Sequence, residues 1–383
     1  MRRVWLAPRS YRSLERVRVL VYDEQSLQVV SALLQGVSYA VFHSRGEVFH
    51  AHPRVLWRGL KYAIKFRSLS LSYHAAVIDA HDPEVVLTFI DNDGVFHELA
   101  NRFPGKRFVA IQNGWHFPAY DYPLKTSYSY QSIMLCFGEN DVDNYRLNGT
   151  SFTRIEAIGS IKNALWRQTD QKTIGDASDE VIDLCIVSQF RYQTPLDLPI
   201  LQDVEVFMEQ VAEYLKERPS LRVAVALFYR EDVSSEHPAL MAEKEYFQKW
   251  LGPRAKLFSN DLARTSVYRL TDRCAVNISV ISAASIEAAA RGNRTLMHMP
   301  VALLDFEEAQ RPPWLLFRAS SEDFAVALDS LLAMSDETFN LRHGSDIRYF
   351  MSNPNSSSAL FDIAQLVLGV ETKPVDRGKT HEG

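Results

Sequence analysis

The sequence is poor in cysteine and in long apolar runs, and each shortage excludes a class of protein. The three cysteines, Cys136, Cys185 and Cys274, lie in or beside apolar runs and have no CxxC spacing. This pattern favours reduced core thiols in the cytosol over disulfides or a zinc site. No stretch is apolar for long enough to be a signal peptide or a membrane span, so the expected localisation is cytoplasmic.

The sequence also lacks an excess of positive charge. Its net charge is −5 and its isoelectric point is about 6.1. Nucleic acid is therefore not an expected partner, because binding to the phosphate backbone requires a dense basic surface. One basic and aromatic segment, 56–66 (LWRGLKYAIKF), has two readings. It is either a helix with one face in the core and Lys and Arg on the other, or a segment that associates peripherally with the anionic inner face of a membrane.

What the chain does contain is a repeated pattern of short apolar runs that end in small polar residues. The clearest example is 85–116 (VVLTFIDNDGVFHELANRFPGKRFVAIQNGWH), where apolar runs at 85–90 and 107–111 flank an amphipathic pattern at 95–103. Strand, polar loop, helix and strand form the βαβ unit of a parallel sheet, and ligands bind beyond the carboxyl ends of such strands. Both polar loops are therefore expected at one edge of the sheet.

Similar apolar runs, separated by helical patterns, recur on both sides of a polar segment at 167–180. A chain of 383 residues suits two domains of ordinary size. We expect an α/β protein with two Rossmann-like domains that face a central cleft. The expected limits are 1–166 for the first domain, 167–180 for a linker, 181–350 for the second domain, 351–370 for a closing helix and 371–383 for a disordered tail.

An anion site is predicted in the second half, at 277–292 (NISVISAASIEAAARG). A buried strand there leads to Ser282 and Ser285 at the start of an alanine-rich helix that also carries Glu287. The N–H groups at a helix start, together with two hydroxyls, suit a monophosphate or a diphosphate. The alternative is capping of the helix by serine for stability alone.

These segments resemble known proteins. LRVAVALFYR, EYFQKWLG and ISAASIEAAARG, each in its place along the chain, are similar to the carboxyl-terminal half of GT-B glycosyltransferases. FHSRGE, VVLTFIDN and FVAIQNG resemble bacterial surface-carbohydrate biosynthesis proteins, a family linked to O-antigen and capsule assembly. The resemblance covers roughly residues 41–350. It implies a GT-B-like fold and transfer of an activated sugar, or a related group, to a growing glycan.

Asp91 and Asp93 supply carboxylates at the end of the first strand of the 85–116 segment. Glycosyl transfer needs a general base for the acceptor hydroxyl or, in a retaining double displacement, a carboxylate nucleophile. Asp91 is the first choice for either role, with Asp93 expected to bind the acceptor. The alternatives are a metal-binding pair, for which no third ligand is evident, and turn formation with capping of the next helix. We expect no metal and no cofactor.

The next polar loop combines side-chain amides, a glycine, an aromatic ring and an imidazole, in Gln112, Asn113, Gly114, Trp115 and His116. Glycine lets the backbone approach a ligand, and histidine titrates near neutral pH. We expect the first four to bind the acceptor, with Trp115 as a platform for a sugar ring, and His116 to take part in catalysis. The alternatives are a tight turn and a structural histidine.

Four further residues are expected to contact a nucleotide donor. Gln189 and Arg191 follow the first strand of the second domain, and Arg230 offers a charged fork for phosphate at the end of another strand. His237 precedes Pro238, a pair that resembles the His-Pro of CMP-sugar-using sialyl- and Kdo-transferases. That resemblance implies a CMP-sugar donor; the alternative is that Pro238 simply occupies the first turn of a helix.

The sequence thus predicts a glycosyltransferase that moves a sugar from a nucleotide donor, such as CMP-Kdo, to a bacterial surface polysaccharide or lipopolysaccharide. The partners would be the nucleotide sugar and a glycan or lipid-linked glycan acceptor. Three alternatives stay open: a CDP-polyol phosphotransferase, a nucleotide-sugar epimerase, and a non-catalytic subunit of an assembly complex.

Overall fold

A computed structural model describes residues 7–11, 14–44, 48–116, 128–168, 181–192, 199–231, 237–261, 266–301, 314–352 and 359–369. Three segments with sequence predictions therefore fall wholly or partly outside the described residues. They are the end of FHSRGE at 45–47, most of the linker at 169–180 and the tail at 371–383.

The first domain is built on a six-stranded parallel sheet. Its spatial order is β3-β2-β5-β6-β7-β8. The strands are β2 (Val19–Val21), β3 (Tyr39–Val41), β5 (Val85–Thr88), β6 (Arg107–Ile111), β7 (Ser129–Cys136) and β8 (Ser151–Ala157). All four residues of β5 are buried, because helices cover both faces of a parallel sheet and its strands are then apolar throughout.

The second domain is built on another six-stranded parallel sheet, in the order β11-β10-β9-β12-β13-β14. The strands are β9 (Ile182–Val187), β10 (Val223–Arg230), β11 (Ala255–Asn260), β12 (Cys274–Ser279), β13 (Thr295–Met299) and β14 (Leu315–Phe317). The chain order reverses between β9 and β12 here, and between β2 and β5 in the first sheet. The predicted fold of two Rossmann-like domains is confirmed.

Helices connect and cover the strands. In chain order the α-helices within the described ranges are α1 (Glu24–Val30), α2 (Pro53–Phe66), α3 (Leu69–His81), α4 (Gly94–Arg102), α5 (Glu139–Leu147), α6 (Ile161–Gln168), α7 (Pro199–Glu217), α8 (Pro238–Leu251), α9 (Ser266–Thr271), α10 (Ala283–Ala290), α11 (Ser321–Ala333), α12 (Asp336–Phe350) and α13 (Ala359–Leu368). Short 3-10 helices occupy Ser31–Leu34 and Gly252–Arg254, and a small parallel pair joins β1 (Arg9–Ser10) to β4 (Phe49–His50). Across these described helices, none is long and apolar enough to cross a membrane.

The sequence patterns located most of these elements but merged two helices. The sequence of residues 55–80 reads as one helical region. In the structure it is a hairpin of α2 and α3, interrupted where Arg67 takes a left-handed conformation with φ of 54°. Ser68 then caps α3, its hydroxyl accepting a hydrogen bond from the N–H of Leu71 at 3.3 Å. The elements with no sequence prediction are α5, α6, α9 and α12, together with the short strands β1, β4 and β14.

Two helices connect the domains. α13 returns to the first domain, where Ile363 and Val367 are buried in its core beside β5. Arg107 of β6 donates hydrogen bonds to the carbonyls of Leu366 (2.5 Å) and Val367 (3.1 Å) at the end of this helix. α6 extends to Gln168, two residues beyond the expected end of the first domain, and contacts the second domain through its side chains.

Candidate functional site

The polar loops after β5 and β6 meet at the carboxyl edge of the first sheet. The Asp91 carboxylate is fully buried; one oxygen accepts a hydrogen bond from the Asn113 N–H at 3.1 Å, and the other lies 2.5 Å from Nε2 of His116. His116 is 4% exposed. The expectation that both loops lie at one edge is confirmed, and the two candidate catalytic residues form one hydrogen-bonded pair there.

A second histidine fixes the backbone at Asp91. Nε2 of the buried His97 lies 2.7 Å from the Asp91 carbonyl and Nδ1 lies 2.7 Å from the Ser132 hydroxyl. A carbonyl can only accept, so Nε2 donates and Nδ1 accepts from Ser132. Burial lowers the pKa of His97 to about 4, so this imidazole is neutral at physiological pH and holds the loop in place.

Asp141, in the first turn of α5, is a member of the cluster that the sequence patterns did not reveal. Its side chain is fully buried, it hydrogen-bonds to Gln112, and it interacts electrostatically with His116 and Asp91. Burial raises the pKa of Asp141 to about 7. The available signal was the segment GEND directly after β7, which places polar residues at a strand end as DNDG does after β5.

The buried side chains of Gln112 and Trp115 stabilise the loop after β6. The Gln112 amide donates to the Gly114 carbonyl at 2.8 Å and accepts from the N–H of Phe137 at 2.7 Å. Trp115 is 7% exposed and packs on Trp314 (6.3 Å between ring centroids) of the second domain. It therefore anchors the loop to the other domain.

Asp93 and Gly114 complete the set of expected acceptor residues. The Asp93 carboxylate caps α4, accepting from the N–H groups of Val95 (2.8 Å) and Phe96 (3.3 Å). This is the alternative role of a helix cap, and the carboxylate faces the helix start instead of joining Asp91 around a metal. A side chain at Gly114 would meet nothing within 4 Å, so the loop is open to its surroundings there.

On the second domain, Gln189 and Arg191 lie beyond β9, at the point where the strand order reverses. The Arg191 guanidinium stacks on the Phe228 ring at 4.0 Å and donates to the Gln189 side chain at 3.1 Å and to the Phe190 carbonyl at 2.9 Å. Burial lowers the pKa of Arg191. The two predicted residues thus form one preorganised unit.

Glu243 of α8 holds the strand ends next to Gln189 and Arg191 in place. The sequence did not predict this role. It is fully buried and accepts hydrogen bonds from the Ser188 hydroxyl and from the N–H groups of Phe228 (2.8 Å) and Tyr229 (3.0 Å). Burial raises its pKa, although these hydrogen bonds oppose the shift. A single glutamate on an amphipathic helix gives no pattern from which this role could be read.

Ser282, at the start of α10, lies beyond β12 and on the other side of the same reversal. Within the described part of the chain its side chain makes no capping hydrogen bond to the helix. Ser285 is different, because its fully buried hydroxyl is 2.8 Å from that of Ser279. Of the two predicted serines, Ser285 therefore has its hydroxyl engaged within the domain.

Glu287, predicted to bind the donor, links the two domains through both oxygens of its carboxylate. One carboxylate oxygen accepts from the Ser160 hydroxyl of the first domain at 2.5 Å, and the other accepts from the Tyr268 hydroxyl at 2.7 Å. Glu287 is 2% exposed, and its carbonyl accepts from the Asn163 amide at 2.9 Å. Its position one turn into α10 points it at α6 instead of at the helix start.

The remaining donor candidates lie at the end of β10 and the start of α8. Arg230 is half-buried and pairs in register with Asn260 of β11. His237 caps α8, with its Nδ1 accepting from the N–H of Ala239 at 3.3 Å and Pro238 in the first turn. The helix-start alternative therefore describes His237 and Pro238.

Comparisons with known proteins agree with this architecture. No protein-family model and no curated protein matches the chain. Among solved structures, an S. aureus MnaA–UDP complex matches with a TM-score of 0.56 at 13% identity, covering 94% of this chain and 98% of that one. A putative UDP-N-acetylglucosamine 2-epimerase from Listeria monocytogenes matches with a TM-score of 0.52 at 15% identity (92% and 96% coverage).

A glycosyltransferase from Rickettsia africae ESF-5 also matches, with a TM-score of 0.50 at 12% identity, covering 93% of this chain and 100% of that one. At sequence identities this low, these structural matches show a shared fold alone. The chain has a GT-B-like fold over nearly its whole length.

Proposed function

We propose that the protein is a glycosyltransferase that uses a nucleotide-sugar donor. The observation that carries this proposal is the buried Asp91–His116 pair, held at the carboxyl edge of the first sheet and joined through Trp115 to the second domain. In a sheet of this kind ligands bind beyond the carboxyl ends of the strands. A carboxylate–imidazole pair at that edge suits removal of a proton from an acceptor hydroxyl.

His116 would be the general base and Asp91 the residue that orients it. A neutral imidazole that donates from Nε2 to Asp91 carries its lone pair on Nδ1, where it can take the acceptor proton. Both oxygens of Asp91 already accept hydrogen bonds, and the side chain is fully buried. This argues against Asp91 as a covalent nucleophile and favours a single displacement assisted by His116.

The donor would be held by the second domain, where its strand order reverses. Gln189, Arg191 and Ser282 flank this point, and Arg230 lies at the end of the adjoining strand β10. Arginine and the start of α10 both suit phosphate groups. The acceptor would be a glycan or lipid-linked glycan of a bacterial surface polysaccharide or lipopolysaccharide, used at the inner face of the membrane.

A nucleotide-sugar epimerase is the second candidate, because two of the structures similar to this chain are the MnaA–UDP complex and a putative UDP-N-acetylglucosamine 2-epimerase. An epimerase changes its nucleotide sugar with no acceptor present. Proton NMR of the protein with each candidate nucleotide sugar alone would therefore reveal a new sugar signal for an epimerase and none, beyond slow hydrolysis, for a glycosyltransferase.

A nucleotide panel tests the donor. We expect one of CMP, CDP, UDP and GDP to raise the melting temperature, because a ligand that binds only the folded state stabilises it by about 2.7 kcal/mol at a hundred times its dissociation constant. Arg191→Ala should remove the shift, and Arg146→Ala, at an exposed position of α5, should retain it. An unchanged melting temperature with every nucleotide would favour a non-catalytic assembly subunit.

Asp91→Asn tests the catalytic pair. The amide cannot stabilise the imidazolium, so transfer to the acceptor should fall by about 10²–10⁴-fold, while isothermal titration should still detect donor binding on the other domain. Asp336→Asn removes an exposed carboxylate from α12 and serves as the matched control. Loss of donor binding in Asp91→Asn, with an unchanged melting temperature, would contradict the division of labour between the domains.

A further inference from the structure

Helix α2 carries an exposed apolar stripe on the outside of the first domain. Leu56, Trp57, Leu60 and Ile64 are 50%, 61%, 58% and 80% exposed. Their spacing of one, three and four residues places them on one face of the helix. Four large apolar side chains that share one face are unusual on a protein surface, where such residues normally occur singly.

The stripe is not the face by which α2 packs on its own domain, because another face of the helix packs on α3. Val55 is buried there, and Tyr62 and Phe66 pack against the same core cluster. Arg58 ties the helices together through an ion pair with Asp79 (Nε to Oδ2, 3.1 Å) and a hydrogen bond to its carbonyl (2.5 Å). These contacts fix the rotation of α2 and hold the stripe outwards.

The charged residues of α2 itself are all positive. Arg54, Lys61 and Lys65 are exposed along one flank of the helix, and Lys61 lies over the Trp57 ring at 5.1 Å. Residues 53–68 contain no aspartate or glutamate. One sequence interpretation placed one face of this helix in the core and the basic residues on the other. In the structure α2 has a third surface, because the apolar stripe lies between the basic flank and the buried face.

We propose that α2 docks the protein on an anionic lipid surface. An apolar face with a tryptophan, flanked by lysine and arginine, is the pattern of a helix that lies in the plane of the membrane interface. The apolar side chains enter the boundary between headgroups and acyl chains, while the flanking cations meet the headgroup phosphates. Charge complementarity selects this partner over a second copy of the chain, whose α2 would carry the same positive charge.

The carboxyl end of α2 reaches the edge of the domain that holds the candidate site. The first half of α3 contacts residues at the carboxyl ends of the strands, since His74 Nδ1 is 2.6 Å from the hydroxyl of Tyr22, which directly follows β2. The turn from α2 into α3 is therefore at the same edge as Asp91. Docking of α2 would bring that edge near the lipid surface, where a lipid-linked acceptor would be located. Only this link to the acceptor rests on the proposed function.

Vesicle flotation of the full chain tests the proposal. We expect the protein to float with vesicles of phosphatidylcholine mixed with phosphatidylglycerol, to bind phosphatidylcholine alone weakly, and to detach in high salt. Trp57 fluorescence should shift to the blue on binding, and Trp57→Phe should float while losing most of the shift. The double variant Trp57→Ser with Leu60→Ser should not float, whereas Leu341→Ser, at an 86% exposed site on α12, should behave as the parent protein.

Charge variants separate the two contributions. Lys61→Gln and Lys65→Gln should each weaken binding to the anionic vesicles by about fivefold, the effect of one basic residue near such a surface. Equal flotation of the parent and the Trp57/Leu60 variant would overturn the proposal. So would a dimer in analytical ultracentrifugation that dissociates only in that variant, because the stripe would then be a subunit interface.

The outcome is independent of the catalytic proposal. Asp91→Asn should float as well as the parent protein, because Asp91 is buried and distant in sequence from α2. Failure to float would leave the Asp91 and nucleotide measurements untouched, and failure of those measurements would leave the lipid result standing.

Discussion

Several buried titratable side chains meet at the candidate site. Asp91, His97, His116 and Asp141 are all less than 5% exposed and lie beyond the strand ends. Burial of a carboxyl group disfavours its charged form, and only hydrogen bonds or opposite charges compensate for that cost. Asp91 accepts hydrogen bonds from the Asn113 N–H and from His116, whereas burial raises the pKa of Asp141 to about 7. Ionisation of Asp141 therefore reduces the stability of the folded protein.

Asp141→Asn should change how stability depends on pH. A raised pKa in the folded state means that the folded protein keeps the Asp141 proton while the unfolded chain, with its ordinary value of 3.8, loses it. The parent protein therefore loses stability from this group as pH rises from about 4 to about 7. Relative to the parent, the variant should gain about 1.4 kcal/mol per pH unit across this window.

Denaturant unfolding of both proteins at a series of pH values measures this difference. Below pH 4 the difference should be constant, because Asp141 is then protonated in both states, and this region provides the internal control. A difference that does not change between pH 4 and pH 7 would mean that Asp141 is ionised in the folded protein throughout.

Sequence reasoning singled out candidate residues that follow conspicuous apolar runs. Asp91 lies three residues beyond the end of β5, and His116 lies five residues beyond the end of β6. Asp141 also follows an apolar run, but it lies within the polar helix α5, where no pattern distinguishes a buried acidic residue from its polar neighbours. The position of Glu287 in α10 is visible from the sequence, but the neighbouring domain that contacts its carboxylate is not.

Some helices were predicted from the sequence and others were not, depending on how many apolar residues they contain. α7 and α8 were predicted from their apolar periodicity, whereas α12 (DETFNLRHGSDIRYF) was not, because few of its residues are apolar and it contains Gly344. Its start was nevertheless signalled by Ser335, whose hydroxyl accepts from the N–H of Thr338 at 3.1 Å. α12 is stabilised largely by what it contacts, and these contacts include the end of β7 in the other domain.

Gly138→Ala tests the contact between α12 and the end of β7. A Cβ atom at Gly138 would lie 2.5 and 2.6 Å from the carbonyl carbon and oxygen of Phe350, and closer still to the Tyr349 oxygen. Backbone atoms cannot move aside as a flexible side chain does, so the variant should lose about 1–3 kcal/mol of stability, as overpacked sites do. Thermal or denaturant unfolding measures the loss.

Gly105→Ala is the matched control, because a Cβ atom there meets nothing within 4 Å. It should be close to neutral. If the two alanine variants were equally stable, the contact between Gly138 and the end of α12 could not be as close as described, and the two domains would be separated at this point.

The two domains are not independent segments of chain. The first is completed by α13, which follows the second in sequence, and α6 of the first is tied to the second by a buried network. In that network Arg291 donates to Asp272 at 2.7 Å and to Asn163 at 2.6 Å, while the Trp166 indole donates to Asp272 at 2.6 Å. Local periodicity predicts two sheets, but contacts between residues more than a hundred positions apart have no local signal.

Ile363→Ala tests whether α13 belongs to the core of the first domain. Ile363 is 3% exposed and packs in one cluster with Val19, Val85 and Leu87. Truncation of a buried isoleucine costs about 2–5 kcal/mol, because transfer energy is lost and a cavity remains. Phe361 is 62% exposed on the same helix, so Phe361→Ala should change stability by less than about 0.5 kcal/mol.

Hydrogen exchange followed by mass spectrometry locates the effect of Ile363→Ala. If α13 completes the first core, protection should fall in β2 and β5, more than 270 residues earlier in the chain, as well as in α13, because exchange from core strands reports the stability of the unit to which they belong. β9 and β12 are nearer in sequence but lie in the other sheet, and they should lose less protection. A loss confined to α13 would show that this helix only covers the domain, and a larger loss in β9 and β12 would place it with the second domain.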